Sequence, residues 1–436
     1  MKQLKIKDNQ YKQKEDFFEV MSVVDKVADK TLDQLEREGV FVFPETIKDT
    51  AGISNSQMIL QSYNNMYCSG NVMGFIGSGD ESIVIESRFS TGENDYLFQY
   101  LLEKVMNFPN FINLEIIANS EDKIFNLLIF LFPHYIKKAL RKGAFKTYIK
   151  NEYNDGNVKG IIDIAGHIRK NIPFVGNVAY NRREYSFDNY LMELIRHTIE
   201  FIKRQSYGYK LLNYAKDEVK LVVDSTPKYN FSDRRTIIEA NKKNIIRHAY
   251  YHEYRDLQRL CLLILQNQKH RFGFGNRSIY GILFDGAWLW EEYVNSLLSD
   301  KYYHPMNKGR IGAQRLFAGG IGLIYPDFIG RDPTNRIIAD AKYKPMDNIG
   351  NKDYLQVLAY MFRFDAKKGY YLYPDSEKSG DLCLKMNSGS TYENNVSARE
   401  DILIIKHGLR IPNDCSNYQD FVEQIKISEK DFCNFN

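Results

Sequence analysis

The chain has 436 residues, 44% of them hydrophobic and 26% charged, a balance that excludes disordered and fibrous classes and, at this length, predicts two or three domains. A net charge of +4 permits nucleic acid as a partner without requiring it, so local patches must decide. The cysteines at 68, 261, 383, 415 and 433 form no CxxC pair, which argues against zinc and for a reducing compartment. The start, MKQLKIKDNQYKQKED, lacks a signal-peptide core, and the longest apolar run, Ile124 to Phe132, is interrupted by Asn126. That falls far short of the ~20 residues that span a bilayer, so a cytoplasmic protein without membrane contact is expected.

In chain order, residues 1–155 read as a mixed α/β region. Phe17 to Glu38 has helical spacing, Val72 to Ile76 and Ser82 to Glu86 read as strands around Gly77-Ser78-Gly79-Asp80, and Tyr96 to Met106 is helical. The glycine turn is not a phosphate loop, since no GxxxxGK[ST] occurs here or elsewhere in the sequence. Phe132 to Lys150 reads as a helix bearing Lys137, Lys138, Arg141, Lys142, Lys146 and Lys150, either a contact for phosphate or an acidic partner, or a solvated face. The turn formers Asn154-Asp155-Gly156-Asn157 mark a boundary.

Residues 156–270 read as largely helical, with long patterns at Tyr190 to Arg204 and Asn244 to Gln266. Asp188 and Asn189 stand where a side chain caps the first of these. His167, Arg182 and Arg183 have no second chemical group beside them and read as packing residues. In residues 271–436, Ile282 to Leu298 reads as one amphipathic helix with a stripe of Trp290, Tyr293, Val294 and Leu297, bordered by Glu291 and Glu292. Two apolar runs follow, Leu323 to Ile329 and Ile337 to Tyr343, joined by a polar turn as in an antiparallel hairpin. Tyr354 to Phe364 is helical, with Gln356 and Tyr360 four residues apart on one face. Tyr370 to Tyr373 reads as a strand ended by Pro374, with a polar loop through Ser397 and a last strand at Ile402 to Ile405.

The hairpin carries the chemistry. Side chains alternate along a strand, so Asp340, Lys342 and Lys344 share one face and Ile337, Ala339, Ala341 and Tyr343 the other; one face is expected to pack and the other to react. A hard cation such as Mg²⁺ needs only one or two protein carboxylates, and Asp327 and Asp340 fit that role, with Lys342 orienting a water or offsetting charge at a phosphate. Glu291 is the choice for a third acidic group, and Gln356 and Tyr360 either touch substrate or brace the lysine strand. Read singly, each acid is better taken as a solvated strand residue, whose removal rarely costs more than ~0.5 kcal/mol. Pro326-Asp327 and Asp340-Ala341-Lys342 together resemble the PD-(D/E)xK nuclease motif.

A wider resemblance runs from about residue 157 to 375, through IIDIAGHIRKNIPF, NRREYSFDN, LWEEYV, YPDFIG, IADAKYK and DYLQVLAYM. In that order these segments resemble the McrC family, the nuclease subunits of McrBC-type GTP-dependent restriction systems. The resemblance implies an α/β (α+β) chain with an N-terminal partner-docking region (1–155), a connecting region (156–270) and a PD-(D/E)xK domain of mixed sheet and flanking helices (271–436). It also implies a hetero-oligomer in which a McrB-like AAA+ GTPase ring consumes GTP and reads double-stranded, modified DNA. Asp327, Asp340 and Lys342 would be the catalytic set with Mg²⁺. A self-sufficient RecB-like nuclease and a non-catalytic activator of the GTPase remain alternatives.

Overall fold

The computed structural model describes residues 2–38, 40–43, 57–90, 92, 94–106, 120–267, 279–305, 312–377 and 379–435. It is mixed α/β and divides into two compact units, Met1–Ile116 together with Gly275–Asn436, and Ile117–Phe274. The three consecutive regions read from the sequence are therefore arranged differently: the first and last stretches build one unit, and the second unit is set into the chain between them.

Two sheets organise the first unit. The five-stranded one contains β1 (Lys2–Lys7), β2 (Val40–Phe43), β3 (Val72–Ser78), β4 (Glu81–Glu86) and β5 (Ile279–Asp285), in the order β1-β4-β3-β5-β2. All seven residues of β3 are buried, as befits a central strand of apolar and small residues. At Gly74 the β5 backbone comes so close that a Cβ would lie 2.1 Å from the Ile282 carbonyl oxygen; only glycine fits. Helix α1 (Tyr96–Met106) follows β4. Because β5 lies between β2 and β3, the first hundred residues and the last region share a hydrogen-bonded sheet.

The expected helix from Ile282 is thus a strand that turns into helix at Asp285-Gly286. Ile282, Leu283 and Phe284 are fully buried, and a short apolar run buried on both faces has no periodicity that separates strand from helix. The Asp285 carboxylate accepts from the Ala287 N–H at 2.9 Å and starts helix α2 (Gly286–Leu298), a cap legible in hindsight.

The second sheet comprises β6 (Tyr302–Tyr303), β7 (Phe328–Gly330), β8 (Ile337–Ala341), β9 (Lys368–Asp375), β10 (Leu382–Ser388) and β11 (Ser397–Arg410), in the order β6-β7-β8-β9-β11-β10. Helix α3 (Asn351–Phe364) crosses from β8 to the parallel strand β9, and α4 (Tyr418–Phe432) ends the chain's regular structure. The hairpin is real but shorter than expected, with Phe328 opposite Ala339 and Ile329 opposite Ile338. Leu323–Ile324 pairs instead with Gln314–Arg315, the break falling at Tyr325-Pro326-Asp327 where proline offers no N–H. Both faces of β8 pack: Ile338, on the Asp340 side, is buried against Val357, Tyr360 and Met361 of α3. The expected division into a packed and a reactive face fails because helices cover a central parallel strand on both sides. Pro374 lies within β9, and the supposed polar loop contains β10.

In the second unit nine of the fourteen residues of Tyr190–Lys203 are buried, and the Asn189 side chain caps this helix through the Leu191 and Met192 N–H groups. Asp188 instead accepts from the Lys228 N–H. The basic segment is helical only to Leu140; Thr147–Asp155 is a strand paired with Val178–Ser186, so Lys146 and Lys150 leave the expected helix. The helix expected from Asn244 begins at His252. His167 bonds Asn171, and Arg182 pairs with Glu184 at 3.4 Å, as packing residues do. No helix among the described residues is long and apolar enough to cross a membrane.

Candidate active site

Asp327, Asp340, Lys342, Glu291 and Gln356 all line one cleft of about 990 Å³ in the first unit. Four elements bring them together, with α3 supplying Gln356. The Pro326 break delivers Asp327 at the start of β7, β8 supplies Asp340 and leads into Lys342, and α2 supplies Glu291. Asp340 is only 1% exposed, which corrects the expectation of a solvated acid. It pairs with the Lys342 ammonium. Asp327 is half-buried, and its Oδ2 accepts from the Ala341 N–H at 2.9 Å, tying the two carboxylate strands together across the motif.

The electrostatics of the cleft are unbalanced. Burial, then the carboxylates of Asp340 and Glu291, push the Asp327 carboxyl well above the usual carboxylate range, against the opposing pull of Lys342 and the Ala341 N–H. Burial works against the charge on Lys342, but Asp340, Asp327 and Asp353 outweigh it and raise the lysine above its ordinary value. Carboxylates outnumber cationic side chains among the residues that line the cleft, six against four, and such an excess gains by taking up a positive charge.

Among the described residues no three His, Cys, Asp or Glu side chains form a metal cage. That donor set suits Mg²⁺ better than zinc or calcium, because Mg²⁺ keeps most of its waters and takes one or two carboxylates plus substrate phosphate. Asp327 and Asp340 are the carboxylates in the cleft that could hold it. Glu291 stands further out, 3.6 Å from His304 Nε2.

Gln356 and Tyr360 are brought together, the Gln356 amide donating to the Tyr360 hydroxyl at 2.7 Å. Gln356 borders the cleft, whereas Tyr360 is buried behind it and braces rather than touches.

Two residues escaped the sequence reading. His304 Nδ1 donates to the Asp327 carbonyl at 2.9 Å while its ring stacks on Phe328 at 5.2 Å between centroids, so it links Glu291 to the Asp327 backbone. No spacing rule signals it, since it precedes the motif by more than twenty residues. Asp353, in the first turn of α3, lies with Oδ1 3.7 Å from Lys342 Nζ and takes Lys344 Nζ on Oδ2 at 2.7 Å. Its signal was present as an acid three residues past Gly350 at a helix start. The Gly350 N–H donates to Oδ2 at 3.0 Å.

The profile of the McrBC 5-methylcytosine restriction system component family matches residues 69–374, well over half of the chain. The chain belongs to the McrBC family. Its matched span takes in β3 to β8, α2, α3 and nearly all of β9, and with them every candidate site residue. No curated protein matches the chain. Among solved structures it is similar to a chain in the tetradecameric assembly of Thermococcus gammatolerans McrB AAA+ hexamers with bound McrC, at 15% identity and TM-score 0.45, covering 98% of this chain and 99% of that one. It is also similar to a chain of the Thermococcus gammatolerans McrBC complex, at 16% identity and TM-score 0.33, covering 69% and 89%. Membership of the McrBC family rests on the profile alone.

Proposed function

We propose that this McrBC family protein is the DNA-cutting subunit of a GTP-dependent, modification-dependent restriction system, hydrolysing phosphodiester bonds with Mg²⁺ and working with a McrB-like AAA+ GTPase whose GTPase rate it raises. The observation that carries the reading is the convergence of Asp327, Asp340 and Lys342 in one cleft. Family membership supports the restriction context, and the absence of any GxxxxGK[ST] in the sequence fits a subunit whose nucleotide is bound by a partner.

In this reading Asp327 and Asp340 hold the cation through their carboxylate oxygens. A divalent cation held there would supply charge stabilisation at the phosphoryl group and a more acidic water. Lys342 places its ammonium where negative charge grows on the phosphate and orients the attacking water. The water oxygen bonds to phosphorus, the bond from phosphorus to the leaving oxygen breaks, and the water's protons pass to solvent and to the leaving oxygen. The Gln356–Tyr360 pair supports α3 beside β8 and presents the amide to the cleft.

The test combines purified protein, Mg²⁺ and methylated duplex DNA, with and without the GTPase and GTP. Cleavage that needs all of them supports the proposal. Cleavage by the chain and Mg²⁺ alone would make it a self-sufficient nuclease, and stimulated GTP turnover without any cutting would make it an activator only.

A further inference from the structure

Lys342 is within ion-pair distance of two carboxylates, Asp340 and Asp353, and of this pair only Asp340 has a part in the proposed chemistry. Asp353 is built as a fixed anion. It is 8% exposed, it stands in the first turn of α3, where the helix dipole favours negative charge, and its Oδ2 is engaged by the Gly350 N–H at 3.0 Å and by Lys344 Nζ at 2.7 Å. Its other oxygen, Oδ1, is the one that lies 3.7 Å from Lys342 Nζ. Lys344, by occupying Oδ2, also keeps Asp353 from holding Lys342 in a tight two-oxygen grip.

We infer that Asp353 is the positioning residue for Lys342, keeping its ammonium in the cleft when a divalent cation engages Asp340; this rests on the nuclease reading of the same site. A cation on Asp340 neutralises the carboxylate that pairs with Lys342 and repels the ammonium directly. Lysine is a flexible stem with a strongly hydrated head, so without a second anchor it leaves the cleft for water. Asp353 lies on a different element from Asp340, in the first turn of α3, and supplies that anchor. A role limited to capping α3 predicts loss of stability alone.

The experiment uses the full chain as wild type, Asp353→Asn and Asp353→Glu, with the GTPase partner present for cleavage. Two readouts are taken: single-turnover cutting across a Mg²⁺ titration, and the rate of amine acetylation at Lys342, followed by mass spectrometry in saturating Ca²⁺. Asp353→Asn is expected to slow cutting about tenfold to a hundredfold, the range expected for a displaced catalytic group, with the half-saturating Mg²⁺ concentration unchanged. Lys342 should be acetylated several-fold faster in that variant, and Asp353→Glu should recover part of both effects. Unchanged acetylation overturns the inference, whether Asp353→Asn cuts normally or merely unfolds at lower temperature. If the wild type cuts no DNA in any combination, the nuclease reading has failed, and the acetylation rates still decide whether Asp353 holds the lysine.

Discussion

Gly286 is the residue on which the seating of the lysine strand depends. A Cβ placed there would lie 2.6 Å from Tyr343 Cε1, 3.0 Å from Cδ1 and 3.3 Å from Cζ, so Gly286→Ala forces the ring to move by several tenths of an ångström. The ring has little room. Its hydroxyl is 2.6 Å from Ser87 Oγ, Phe89 meets it edge-on with centroids 5.0 Å apart, and the Arg88 guanidinium sits 5.1 Å from its centroid. Overpacking of this kind costs ~1–3 kcal/mol, offset by at most ~1 kcal/mol from better helix propensity. The net loss of about 1–2 kcal/mol corresponds to a fall of roughly 2–3 °C in thermal midpoint for a unit of this size. Because Tyr343 adjoins Lys342, the same shift should displace the ammonium and, on the nuclease proposal, slow cutting. Differential scanning fluorimetry measures the first effect. The double variant Gly286→Ala with Tyr343→Leu should unfold less than additively, since the clash is removed with the ring. If Gly286→Ala unfolds at the wild-type temperature, the ring is not pinned as described.

Asp340→Ala should cost about 3–5 kcal/mol, because it breaks a buried pair and leaves Lys342 only its 3.7 Å contact with Asp353, and it should abolish cutting; a denaturant midpoint equal to wild type would contradict the pairing. The Asp95 carboxyl is half-buried, and its desolvation pushes it up to about 7 from the usual 3.8, despite accepting the Ser87 and Phe98 N–H groups. A raised folded value means the stability it contributes is complete below pH 3.8 and is lost as pH rises to about 7. Asp95→Asn should therefore flatten the decline in thermal midpoint between those pH values, and an unaltered profile would locate the titration elsewhere.

The sequence carried the site further than the fold around it. Asp327, Asp340 and Lys342 were legible because alternation in an apolar strand and the Pro-Asp break are local rules. The burial of Asp340 was not, because it depends on α3 and on the parallel strand β9, which no local pattern announces. The strand β5 was misread as helix for want of periodicity in Ile282-Leu283-Phe284. The joining of the first and last regions was invisible for the same reason: β5 pairs with β2 and β3 across a separation of some 200 residues or more. Consequently the first 150 residues are not a detachable docking module. Deleting them would remove the partners of β5 and the Ser87 and Phe89 contacts of Tyr343, and the cleft would be lost with them.

The proposal that this McrBC family chain cuts while a partner consumes GTP is tested most directly by Lys342→Ala in a paired assay of GTP turnover and DNA cleavage with the purified GTPase. The account predicts cleavage lowered at least a hundredfold, the scale of losing a group that stabilises transition-state charge, with GTPase stimulation equal to wild type. Cleavage at the wild-type rate, or loss of GTPase stimulation together with cleavage in a folded variant, would contradict it.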